Sequence, residues 1–192
     1  NQQLRDTIPE GIGNVYGEQS GNVECVCAIL DTMKDEKNLA PFRHSLAHLL
    51  GASVKEIYPN AHLTLGPAID DGFYYDVDFG TEKVTESDLA TIEQKMRDMA
   101  KTWTTFTHAD TSYDDAVALY SGNPYKTELI NEINEKGEKI SLYTSGNFTD
   151  LCRGGHIDDF STIDMAGWKL DRIAGAYWRG NSENKMLTRI YG

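Results

Sequence analysis

Cysteine is scarce in this chain. Three residues among 192 cannot build the dense disulfide framework of a small secreted domain, and two of them, Cys25 and Cys27, lie only two apart. Long apolar runs are missing too. No stretch of 18 apolar residues and no basic-then-apolar leader occurs, so neither a membrane span nor secretion is expected, and the cytoplasm is the expected compartment. Positive charge is in deficit: 18 Lys and Arg face 30 Asp and Glu, for a formal net charge of −12. That balance argues against a protein whose main task is gripping the backbone of DNA or RNA, where affinity comes from cations. Glycine-rich phosphate loops and dinucleotide fingerprints are also absent, so ATP-dependent activation is not expected within this chain.

What is present is enough apolar material, 40% of residues, to bury one sound core. Residues 1–39 carry turn signals at Gly11-Ile12-Gly13 and Ser20-Gly21-Asn22 and one plausible strand, Val23 to Leu30. From Pro41 to Ile57 the pattern is helical: proline suits a first helical position, Tyr58-Pro59-Asn60 stops the run, and Phe42, Leu46, Leu49, Leu50, Val54 and Ile57 form one apolar arc. Leu63 to Leu65 and Phe73 to Phe79 read as strands joined through Asp70-Asp71-Gly72. Thr85, with Asp88 three residues on, caps a helix whose stripe of Leu89, Ile92, Met96, Met99 and Trp103 is core. Shorter helices are expected over Tyr113 to Tyr120 and Tyr125 to Lys136. Strands follow at Ile140 to Tyr143, Phe148 to Leu151 and Trp168 to Trp178, with Gly175 marking a bend or bulge. Strands and helices mix without βαβ alternation, which predicts an α+β fold.

Two polar clusters interrupt this pattern. His44 and His48 are four apart and share the helix face opposite the apolar arc, beside Ala47, Gly51 and Ala52, as though something must come close there. Far downstream, Asp150-Leu151-Cys152-Arg153-Gly154-Gly155-His156 spaces a thiol and an imidazole four apart around two glycines, which permit a tight turn and close approach of a ligand. His44, His48, Cys152 and His156 together make the donor set of a four-coordinate zinc site. They equally make a wet cleft able to position a water. Gly66-Pro67 leaves a backbone stretch without bulky cover that can wall such a pocket. Alone, Lys126 reads as a solvated lysine, and His62 and His108 as surface or packing residues.

Arg43 to Leu50, Gly66 to Asp76, Asp150 to His156 and Ala174 to Gly180, with Asn184 to Leu187 and Arg189 to Gly192, together resemble the editing domain of threonyl-tRNA synthetases, related to the editing domains of alanyl-tRNA synthetases and to freestanding deacylases. The resemblance runs from about residue 40 to the end. It implies an α+β editing domain over 40–192, an antiparallel sheet packed around the histidine-bearing helix, preceded over 1–39 by an incomplete ubiquitin-like (TGS-type) segment. It implies proofreading hydrolysis of mischarged seryl-tRNA(Thr), with His44, His48, Lys126, Asp150, Cys152 and His156 as catalytic candidates. His44 positions the water or moves the proton, and Asp150 holds the amino group or the ribose. Gly66, Pro67, Arg153 and Arg179 are the candidates for contact with substrate or RNA.

Partners implied are the tRNA(Thr) acceptor end and the aminoacylation and anticodon-binding domains of a parent chain expected to continue past Gly192. ATP and magnesium would serve only that absent aminoacylation domain. No cofactor is required for editing by this resemblance, and zinc is possible at His44, His48, Cys152 and His156. The alternatives are a freestanding trans-editing deacylase and a non-catalytic zinc or tRNA-binding module. Gly155 departs from the proline usual before that last histidine. Within residues 150–192 the two signs of charge balance, so the acidic excess lies earlier. Such a module suits work on the end of an RNA that another domain holds.

Overall fold

The computed structural model describes residues 39–192, and the expectations for residues 1–38, including the strand at 23–30 and the two cysteines in it, lie outside them. Helix α1 (Leu39–Ile57) starts two residues ahead of the proline, and its centre is buried from Ser45 to Val54. The predicted arc accounts for that. Leu46, Leu49, Leu50 and Val54 are essentially inaccessible, and side chains of this size contribute roughly 1.5–3 kcal/mol each on full burial. They meet Ile92 and Met96 of α2 (Leu89–Ala100) and the aromatic residues Trp103, Phe160 and Trp168 in one core. A single 3₁₀ turn (Glu86–Asp88) leads into α2, with the Thr85 amide donating to Asp88 Oδ2 at 2.8 Å, as the capping pair predicts.

Two antiparallel sheets complete the fold. The larger is centred on β3 (Gly72–Asp78), whose alternation sends Phe73, Tyr75 and Val77 into the core. One edge of β3 pairs with β1 (His62–Leu63) and then β2 (Ala68–Ile69). The predicted strand at 63–65 is thus short, yet its hydrogen bonding continues: the Thr64 amide donates to Asp76 O at 3.0 Å and the Asp76 amide to Leu65 O at 2.9 Å. The other edge pairs with β8 (Met186–Tyr191), which pairs in turn with β7 (Arg172–Tyr177). Gly175 makes no bulge, contrary to the sequence expectation. The ladder runs unbroken through Gly175 opposite Thr188, and a Cβ at Gly175 would lie 2.9 Å from Met186 Sδ, so the missing side chain makes room for a cross-strand neighbour.

The smaller sheet orders β4 (Thr107–Thr111), β5 (Ile140–Ser145) and β6 (Phe148–Leu151). Beside it lie α3 (Tyr113–Leu119) and α4 (Pro124–Glu135), joined through a small cluster of Ala116, Ile130 and Ile140. Among the described residues no helix is long and apolar enough to cross a membrane.

The small residues on the histidine side of α1 serve the fold at one position at least. A Cβ at Gly51 would stand 2.7 Å from Tyr75 Cε2, and one at Gly66 would stand 2.3 Å from Tyr75 Cδ2. The Tyr75 ring therefore lies between two glycines, and what comes close to Gly51 is this ring. On an exposed helix glycine to alanine stabilises by about 1 kcal/mol. Here Gly51→Ala is expected to destabilise by roughly 1–3 kcal/mol, the range for overpacking, as measured by the urea midpoint. A stabilised variant would show that the ring is free to move aside.

Candidate active site

The site is assembled from four elements. α1 projects His44 and His48 from successive turns, their ring centroids 4.9 Å apart. Ser45 between them ties the helix to the downstream loop: its hydroxyl donates to Pro41 O at 2.8 Å and accepts from the Ile157 amide at 3.1 Å. Past the end of β6, the Cys152 amide donates to Ser141 O at 3.1 Å, anchoring the cysteine backbone on β5. The chain then doubles back through Gly154 and Gly155, whose φ angles of 92° and 87° lie in the region that glycine reaches without strain. At Gly154 a Cβ would also meet the Tyr143 hydroxyl at 2.4 Å. A proline at 155, fixed near φ −65°, could not take this path. The turn lays the His156 ring between Phe106 and His44, at centroid distances of 4.0 and 4.6 Å.

The two distant segments meet. Cys152 Sγ lies 3.5 Å from Nε2 of His44 and 3.5 Å from Nε2 of His156, and with His48 one donor atom from each of the four residues falls within 4.8 Å of every other. Nδ1 of His44 faces the Gly155 carbonyl at 3.4 Å; donating there, it leaves the Nε2 lone pair directed at the sulfur. Zinc bonds of about 2.0–2.3 Å to N and S imply tetrahedron edges of roughly 3.5 Å, so the donor set fits that ion. The outer partners fit less well, because a metal-bound imidazole ordinarily hands its other N–H to a carbonyl or carboxylate. Nδ1 of His48 and of His156 is buried with no hydrogen-bond partner among the described residues.

Behind the imidazoles sits a buried ion pair. Asn123 caps α4, its Oδ1 accepting from the Tyr125 and Lys126 amides at 3.1 and 3.2 Å, with Pro124 at the first helical position. Asn123 Nδ2 donates to Leu63 O at 2.8 Å, fastening this end of the helix to the larger sheet. Lys126 then lies in the first turn, the wrong end of the helix dipole for a cation. It is almost fully buried, with Nζ 2.6 Å from Asp150 Oδ1. The Leu151 amide donates to the same oxygen at 2.9 Å and the Tyr75 hydroxyl donates to Oδ2 at 2.5 Å. Both oxygens of Asp150 are therefore engaged by the protein, and its carboxylate holds Lys126 and Tyr75 in place.

Electrostatics follow from this packing. Burial pushes the Asp150 carboxyl up, but the charge of Lys126, the neighbouring His48 and the hydrogen bonds from Lys126 and Tyr75 together outweigh it and leave the group below the usual carboxylate range. Burial holds His48 down at about 4 and His156 at about 3, lowers His44, and pushes the Cys152 thiol up to about 11. The thiol is protonated at neutral pH, which argues against a free thiolate nucleophile.

A cleft of about 360 Å³ opens onto these groups. His44, His48, Lys126, Asp150 and Cys152 line it, as do Gly66, Pro67 and Arg153, whereas His156 supports the wall from behind and Arg179 lies outside. Arg179 instead pairs with Glu128 and Glu132 of α4. Tyr75 and Phe106 were not singled out from the sequence, since an aromatic residue in or beside a strand reads as packing. His108 is half-exposed and pairs with Asp110 at 3.1 Å, away from the cleft.

Because the folded pKa of His48 lies below its unfolded value near 6.5, the unfolded chain takes up the proton first as pH falls. The stability this group contributes is complete above about pH 6.5 and drains away toward pH 4. In chelator-treated protein the loss from His48 is expected to be on the order of 3 kcal/mol, followed by urea unfolding across that interval. A His48→Gln variant should be flatter there, and an equally steep profile would contradict the assignment.

Comparison with known proteins agrees with this geometry. Residues 140–191 match the threonyl and alanyl tRNA synthetase second additional domain, the stretch that carries Asp150, Cys152 and His156. The threonine–tRNA ligase of Borrelia turicatae is 50% identical over 150 residues, 78% of this chain and 25% of the ligase. That of Francisella philomiragia is 46% identical over 189 residues, 97% of this chain and 29% of the ligase. The chain thus spans between a quarter and three tenths of the length of these relatives, 25% and 29%. With the match running through the cysteine-histidine loop and the longer alignment taking in the histidine helix, this chain carries the threonyl/alanyl-tRNA synthetase second additional domain and is homologous to a segment of threonine–tRNA ligases.

Proposed function

We propose that this chain is the proofreading module of a threonine–tRNA ligase and hydrolyses the ester of mischarged seryl-tRNA(Thr). The observation that carries the reading is the meeting of His44, His48 and Cys152 with the Lys126–Asp150 pair on the wall of one cleft. Ester hydrolysis asks for a positioned water, stabilisation of the oxyanion and a proton for the departing ribose hydroxyl. His44 is less buried than His48, lines the cleft, and turns its Nε2 toward Cys152, which lines the cleft as well. It holds the water and takes its proton. Lys126, held by Asp150, directs positive charge at the same wall, where an oxyanion would form.

A synthetic pocket separates serine from threonine poorly, because one methyl group is worth only about 1–3 kcal/mol, and a second site that hydrolyses the serine ester multiplies the discrimination. Since Tyr75 fills the space at Gly51 and on the Cβ side of Gly66, exclusion of the threonine methyl falls to His44, Pro67 and the backbone of Gly66. When bound, zinc would acidify a coordinated water and polarise the carbonyl; His44, His48, Cys152 and His156 would hold it. Aminoacylation with ATP and magnesium, and anticodon recognition, belong in this reading to other parts of a cytoplasmic parent. A non-catalytic zinc module is favoured by the donor spacing, but the two unpartnered Nδ1 atoms speak against a fold that depends on the metal.

Hydrolysis of mischarged seryl-tRNA(Thr) by this chain is the direct test. His44→Ala is expected to fold and to lose at least about 100-fold in kcat, the usual scale for removing an acid-base group. Lys126→Ala, which leaves Asp150 buried and unpaired, should also unfold about 3–5 kcal/mol more easily. Full activity in His44→Ala, or stoichiometric zinc whose removal unfolds an inactive wild-type chain, would overturn the deacylase reading in favour of the structural one.

A further inference from the structure

Arg179 is one of the candidates for contact with RNA, and its placement suggests a different task. It follows β7 in a 3₁₀ turn (Trp178–Gly180) and is the one non-glycine residue among those described with a left-handed backbone, at φ 59°. A conformation of that kind costs free energy and persists where surrounding contacts over-determine it. The contacts are evident. Arg179 Nε lies 2.9 Å from Glu128 Oε1, its Nη2 pairs with Glu132 Oε1, and the neighbouring indole of Trp178 donates to Glu128 Oε2 at 3.0 Å. Trp178 packs in turn on Tyr125, beside Lys126.

Glu132 lines the cleft, and besides the buried Asp150 it is the one carboxylate that does so among the described residues. The other charged groups toward the mouth are cations: Lys136, Lys139 and Arg153. Lys139 and Arg153 have exposed partners, Asp110 at 3.0 Å and Glu138 at 2.6 Å, neither of which lines the cleft. Lys136 has no ion-pair partner among the described residues. In a chain of net charge −12, a mouth of this sign is a local exception, and an uncompensated Glu132 would weaken it.

We propose that Arg179 acts as an electrostatic positioning residue: by holding Glu132 it keeps the mouth of the cleft positive for the phosphodiester backbone that follows an esterified RNA terminus. This deepens the deacylase reading and rests on it. Charges at the rim of an interface chiefly set encounter and salt dependence, so the effect falls on KM and leaves the chemical step to the groups inside.

The test compares two substrates at low salt: seryl-tRNA(Thr), and the seryl ester of adenosine, which has no phosphate. Arg179→Gly, which the left-handed backbone accommodates, is expected to raise KM for the RNA about fivefold and to leave KM for the adenosine ester within about twofold. Glu132→Gln added to Arg179→Gly should bring KM for the RNA back to within about twofold of wild type. Raising the salt toward 1 M, where the screening length shrinks to about 3 Å, should erase most of the difference. Arg179→Lys, retaining the charge, should stay near wild type.

Equal losses on both substrates would mean that Arg179 merely braces α4, and failure of Glu132→Gln to rescue would reject the neutralisation. Either result overturns this proposal while leaving the deacylase reading intact. If the wild-type chain hydrolyses neither ester, the deacylase reading itself fails, and this inference with it.

Discussion

The carboxylate of Asp150 is where the architecture converges. It belongs to the smaller sheet, accepts the hydroxyl of Tyr75 from the larger sheet, and pairs with Lys126 from the first turn of α4. Taking an aspartate and a lysine out of water is costly, and it is sustainable only when geometry and further hydrogen bonds compensate both charges. The arrangement satisfies that condition by drawing donors from three separate elements. It therefore fixes how the two sheets and the helix stand relative to one another, with the imidazoles of α1 placed on the wall that results.

Around this centre the histidine cluster is kept neutral. Each imidazole is desolvated, and each would repel the others if charged, so burial and mutual proximity act in the same direction. Neutral imidazoles have lone pairs to offer, which is the state needed either to hold a water or to bind a metal. The same geometry thus suits two chemistries, and the partners of the outer nitrogens separate them: His44 has a carbonyl to donate to, whereas His48 and His156 have no partner among the described residues.

Much of this was legible in the sequence, for identifiable reasons. The four-residue spacing of His44 and His48 survives any error in helix ends, and the two glycines before His156 announce a turn whatever its exact path. The stripe of α2 and the cap at Thr85 are local signals and were local facts. Long-range consequences were not legible. β8 was not read as a strand although it pairs on both sides in the larger sheet, because its alternation is broken by Arg189, whose charge is neutralised by Asp76 across the ladder. β4 escaped notice because its residues are mostly exposed and polar. Gly51 was given the right property, room for a neighbour, and Gly175 the wrong one, a bend or bulge; in each case the space is taken by another side chain of the same chain. Asp150 was expected to reach outward, and only the folded chain brings Tyr75 and Lys126 to both of its oxygens.

One feature of the cluster bears on how such a molecule is made. The sulfur of Cys152 and the ring of His44 are separated by 108 positions in the chain, so they can meet only after both segments have been made. A ribosome releases the histidine helix long before the cysteine loop exists, and β8, which flanks the central strand, comes later still. Throughout that interval the nascent polypeptide carries His44 and His48 without the cleft wall that Asp150, Cys152 and Arg153 complete.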